Sequence, residues 1–147
     1  MQNFVLPSSE QLASLSELEV RNLVAKATEA RDEARQELDL NYNRMSVSIE
    51  QEYYVEIKSI MQLIVIKKES FPRGGTLDDT SRTIEIRKEI QDLYIKKSVA
   101  AVNAQMRRND LRYNYAKQKN GIQRKWENEV GILKVYLKKF STTNDAC

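Results

Sequence analysis

The sequence has no histidine, a single cysteine, four glycines and two prolines in 147 residues. Without histidine there is no imidazole general base, no Ser-His-Asp or Cys-His arrangement, and no Glu-x-x-His metal site of the helical di-iron type. One cysteine, Cys147, leaves neither an internal disulfide nor a multi-cysteine zinc site, and it reads as a thiol on a frayed tail. So few glycines and prolines exclude a barrel or sandwich that needs many tight turns. Long apolar runs are also missing. The most apolar stretch, Met61 to Ile66, is far short of the ~20 residues of a membrane helix, and Met1 to Pro7 has no Lys or Arg to begin a signal peptide. With no Asn-x-Ser/Thr acceptor either, the pattern predicts an intracellular, cytoplasmic protein, with a nuclear location also open.

Recognisable chemistry is equally sparse. The carboxylate pairs Glu29/Glu33 and Glu50/Glu52 read as solvated or salt-bridged helix faces rather than acid/base or cation sites. Arg73-Gly74-Gly75 lacks the spacing of a phosphate-binding loop. No catalytic residue, cofactor, metal or small-molecule substrate is therefore expected, and the chain does not read as an enzyme.

What is abundant is helical patterning, in a chain that is 31% charged and 41% hydrophobic. Between Ser8 and Phe71 there is neither Pro nor Gly. Ser16-Glu17-Leu18-Glu19 fits a capping box, and Ser8 and Ser9 offer an earlier start. An apolar stripe then runs Leu23, Ala27, Ala30, Ala34, Leu38, Tyr42, Met45, Ile49, Tyr53, Ile57, Ile60, Ile64. Its mean step is about 3.7 residues, nearer an 11-residue repeat than a heptad, which predicts a nearly straight or slightly right-handed pairing. Phe71-Pro72-Arg73-Gly74-Gly75 breaks the chain, and Thr76 to Thr80 supply caps for a second stripe. That stripe runs Ile86, Ile90, Leu93, Lys97, Ala101, Ala104, Arg108, Leu111, Tyr115, Gln118, Ile122, Trp126, Glu129, Leu133, Leu137, Phe140.

The pattern predicts an all-α single unit over 1–147: a long antiparallel helical hairpin with coiled-coil-like pairing. Its first arm spans 8–69, the connecting loop 70–80, the second arm 81–140 and a flexible tail 141–147. Arms of this length approach ~90 Å at 1.5 Å per residue. Two other architectures fit the same residues. Turn signals at Asn41-x-Asn43 and Asn120-Gly121 would break the arms into a compact four-helix bundle. The β-branched runs Leu63-Ile64-Val65-Ile66 and Thr83-Ile84-Glu85-Ile86 could instead pair as a hairpin at the tip. That helix, β-hairpin, helix layout is similar to the architecture of prefoldin-type chaperone subunits.

Folding the chain at the glycine pair makes facing residue numbers sum to about 150. Ile57 and Ile60 then meet Leu93 and Ile90, Met45 and Ile49 face Ala104 and Ala101, and Ala27 and Ala30 fall opposite Ile122 and Trp126. Charge follows the same division. Residues 1–70 carry 8 Lys/Arg against 12 Asp/Glu, a net of −4, and residues 71–147 carry 16 against 9, a net of +7. The Glu29, Glu33, Glu37 column is thus placed opposite Arg112, Lys117 and Lys119.

Two surfaces emerge as candidates. Near the turn both arms are apolar almost all round, and a two-helix hairpin buries only one stripe per helix. This predicts self-association or docking of a partner's helices through Tyr54, Leu63, Val65, Ile66, Ile84, Tyr94, Ile95 and Val99. The chain would then be a non-enzymatic structural or adaptor subunit, with two hairpins aligned here forming a four-helix bundle. The alternative is a polyanion-binding module, nucleic acid included, using Arg107, Arg108, Arg112, Lys117, Lys119, Arg124 and Lys125 among interleaved tyrosines.

Overall fold

A computed structural model describes residues 3–145, with side chains as far as Ser141. Three helices follow in order: α1 (Ser9–Ala13), α2 (Glu17–Glu69) and α3 (Leu77–Asp145). The two long helices pack against each other as an all-α helical hairpin. The residues divide into two units, one of Met1–Tyr42 with Tyr113–Cys147 and one of Asn43–Arg112. α3 starts at Leu77, before the expected 81, because Thr76 caps it: its hydroxyl accepts from the Asp79 amide at 3.2 Å. At the other end α3 continues through Asp145, past the expected stop near 140. Cys147 lies outside the described residues.

Neither alternative architecture forms. Among the described residues there is no strand, and Leu63–Ile66 and Thr83–Ile86 are helical. The β-branched runs follow helix spacing once Ile60, Ile64, Ile86 and Ile90 turn inward, so burial overrides a weak local preference. The expected breaks near Asn43 and Gly121 are absent too. Both residues lie within continuous helix, where an exposed Asn or Gly costs at most about 1 kcal/mol relative to Ala. A Cβ added at Gly121 or Gly131 meets nothing within 4 Å. Gly121→Ala and Gly131→Ala are each expected to raise the unfolding free energy by roughly 0.5–1 kcal/mol in urea titrations. A loss of stability would mean the glycines serve a local bend.

The inward stripes match the expected ones with two exceptions. Met45 is exposed and Ser46 takes its inward place, and Gln118 is exposed on α3. Inward positions recur at steps of 11: Ala27, Leu38, Ile49 and Ile60 on α2, and Leu93, Ala104, Tyr115, Trp126 and Leu137 on α3. Eleven residues make just over three whole turns at 3.6 per turn, so each stripe holds one bearing with little drift.

The register differs from the expected sum of 150. Arg108 pairs with Glu50, and Tyr115 stacks on Tyr42, giving sums of 158 and 157. The loop explains the offset. Lys67, near the end of α2, pairs with Glu89, twelve residues into α3, at 2.6 Å. Residues 70–76 therefore climb beside the first turns of α3 instead of reversing on the spot. Seven extended residues can span ~23 Å, more than the ~18 Å occupied by twelve helical ones. Phe71 and Pro72 are half-buried along the way.

In the unit formed by the chain ends, the first arm is not continuous. Ser8 closes a capping box with Gln11, and Ser16 accepts from the Glu19 amide at 3.2 Å, so two helix starts lie eight residues apart. The break lets Leu12 pack with Val20 and Leu133, surrounded by Phe4, Leu6, Leu15, Leu23, Tyr136 and Phe140. Farther along α2, Ala27 and Ala30 lie on the same side as Ile122 and Trp126, with a cavity of about 170 Å³ between them. The Trp126 indole N–H donates to the Thr28 hydroxyl at 3.1 Å, and Arg31 lies 4.1 Å over the ring. Arg35 donates to Gln123, and the Tyr115 hydroxyl donates to Asp39 at 2.5 Å. Bonding to that carboxylate raises the Tyr115 pKa above 10.0, because a phenolate there would face the Asp39 charge.

Candidate interaction face

The unit of residues 43–112 is built on one stripe per helix. Ile60, Ile64 and Ala100 are buried, with Tyr53, Ile57, Ile90 and Leu93 packed against them. Everything apolar beyond those stripes must remain outside. The described residues carry 21 exposed large hydrophobics, and 15 of them lie between Asn43 and Arg112. All eight residues expected to meet a partner are exposed, from Tyr94 at 41% to Tyr54 at 65%.

The structure does not gather these eight into one patch. Each residue turns a helix by about 100°, so positions one before the inward stripe fall on one flank and positions one after it on the other. Leu63 and Val99 share the first flank, where together with Ile95, on the outer side of α3, they border an open groove of about 780 Å³ floored by Ile60, Leu93 and Ala100. Tyr54, Val65 and Tyr94 lie on the second, where Lys68 reaches the Tyr94 hydroxyl at 3.3 Å. Ile66 and Ile84 face away from the partner helix. Val55 and Val102 are missing from the expected set but belong to this surface. Val55 borders the groove, and Val102 joins Tyr94, Ile95 and Val99 around a shallower depression. A count of apolar residues marks this half of the chain, whereas the flank a residue occupies requires the inward bearing.

Polar groups share this flank. Gln51, Glu52, Glu56 and Ser59 stand on α2 and Lys96 on α3. Besides Lys67–Glu89, two ion pairs cross between the helices in this unit. Arg108 grips Glu50 through two nitrogens at 2.5 and 3.0 Å, and Arg107 meets Glu52 at 2.6 Å. The hydrogen bond from Arg108 holds the Glu50 carboxyl below its usual 4.5, and Arg107 does the same for Glu52. A carboxyl whose folded pKa is depressed adds stability above its unfolded value and loses it as pH falls through the folded value. The thermal midpoint should therefore drop more steeply below pH 4.5 in the native chain than in Arg107→Gln/Arg108→Gln. Parallel pH profiles would show that the clamps contribute nothing.

These pairs change the basic segment. Arg107 and Arg108 are neutralised by Glu52 and Glu50, which are not the acids expected to answer the basic run. Among the described residues no ion pair joins Glu29, Glu33 or Glu37 to Arg112, Lys117 or Lys119. In the terminal unit Lys119 lies 5.8 Å from the Tyr115 ring centre and Lys125 is 3.9 Å from Glu129. Lys117 and Arg124 turn to the opposite, outer side of α3, so the cations form no single stripe. Arg112 is exposed in the other unit.

Among the described residues no group of three or more His, Cys, Asp or Glu side chains could hold a metal ion. No helix there is long and apolar enough to cross a membrane. Comparison with known proteins matches no family model, no curated protein and no solved structure.

Proposed function

We propose that this chain is a non-enzymatic structural or adaptor subunit that associates with other helices through residues 43–112. The observation that supports this reading is the concentration of exposed large hydrophobics in that unit, four of which, Val55, Leu63, Ile95 and Val99, border an apolar groove between α2 and α3. Water left against so much aliphatic surface is unfavourable by ~25 cal/mol per Å², and covering it with a partner helix recovers that free energy. The groove suits a row of side chains better than a small ligand. Its floor is Ile60, Leu93 and Ala100, and its open surface is mostly apolar.

Thiol labelling tests the reading. In a Cys147→Ser background, cysteine replaces Leu63 or Ile95 on the face, or Gln36 as an exposed control in the other unit. Labelling at 63 and 95 is expected to slow about tenfold relative to 36 when protein concentration rises or when extract of the source cells is added. Equal rates at all three positions under both conditions would overturn the proposal.

A further inference from the structure

We infer that the groove is covered by a second copy of this chain, docked face to face through its own groove. This inference rests on the proposed interaction role and names the partner. An isologous contact needs a surface that is complementary to itself, and this face supplies both halves. Val55, Leu63, Ile95 and Val99 stand up on either side of the floor, and Ala100 keeps that floor low enough to receive side chains of their size.

The charges are arranged the same way. The α2 side of the groove carries Glu52 and Glu56, and the α3 side carries Lys96. Glu52 is taken up by Arg107 of its own chain at 2.6 Å, which leaves Glu56 and Lys96 to meet the partner. A two-fold axis running along the helices sets α2 of one copy over α3 of the other, so each acidic side meets a basic one. An unrelated helix would need its own matching pattern, whereas a second copy has it already. The half-open side chains of Val55, Leu63, Ile95 and Val99 supply the apolar part of that contact.

Sedimentation velocity on the purified full-length chain tests the inference. The native protein is expected to sediment at twice 17.1 kDa at concentrations of tens of µM, and Leu63→Asp/Val99→Asp at the monomer mass with unchanged helicity. If the aspartates unfold the chain, Leu63→Gln/Val99→Gln serves instead, with dimer affinity expected to fall at least about tenfold, or 1.4 kcal/mol. A charge exchange then probes the arrangement itself. Lys96→Glu should weaken the dimer, and Lys96→Glu/Glu56→Lys should restore it. A native chain that stays monomeric, a dimer indifferent to the face variants, or an exchange that fails to restore affinity would each overturn the inference. The labelling separates the two proposals. Protection at 63 and 95 only with extract removes the second copy and leaves the interaction role standing. Protection in neither case removes both.

Discussion

Leu133→Ala is expected to cost about 3–4 kcal/mol of unfolding free energy, the upper range for a large-to-small change in a site that cannot collapse. Leu133 has no exposed surface and packs with Leu12 and Val20, themselves 3% and 0% exposed. Three elements meet at this residue: the short α1, the start of α2 and the last turns of α3. Helices cannot close a methyl-sized gap without moving their whole backbone, so the lost contacts stay lost. The loss should also be local. The Leu12 amide, bonded to the Ser8 carbonyl at 2.9 Å, is expected to lose hydrogen-exchange protection well before amides in the middle of α3. Urea unfolding with an unchanged m-value and a fall below 1 kcal/mol would show that this cluster is not a core.

Ile64 and Ile66 provide the second test, since they are the same residue two positions apart on the same helix. Ile64 is 1% exposed and belongs to the cluster with Ile60 and Ala100, whereas Ile66 is 59% exposed. Ile64→Ala is expected to cost about 3 kcal/mol through lost transfer free energy and a cavity. Ile66→Ala, measured in dilute solution, should lie within about 0.5 kcal/mol of the native chain, because Ala is the better helix former and little contact is lost. The difference between the two variants cancels the change in intrinsic propensity and leaves packing alone. Similar losses at both positions would mean that α2 presents a different face to α3.

Most of the fold is legible in the residues themselves. Steps of three and four place Leu23 through Ile64 and Ile86 through Phe140 on inward faces, and only Met45 and Gln118 turn out exposed. The Ser8 and Ser16 caps are readable as side-chain chemistry, and both form. The break between them is harder to see. Nothing between Ala13 and Ser16 forbids a helix, and the chain leaves helical geometry there because Leu12 and Leu15 reach the α2–α3 pair that way. The exposed apolar side chains near the turn were equally foreseeable, since one stripe per helix cannot bury them.

The sequence by itself determined the helical character of the two arms, which face of each turns inward and where the chain reverses. These follow from local spacing, capping and the Pro-Gly break, all of which act over a few residues. Only the tertiary structure decided the register between the helices, and with it every long-range partner. The path of residues 70–76 shifts the facing sum from about 150 to between 153 and 158, which moves Arg108 onto Glu50 and Trp126 onto Thr28. A loop can take many paths at similar local energy. The choice falls to the summed burial of Ile60, Ile64, Ala100 and Leu133 against helices far away in sequence, a quantity that no short window of residues contains.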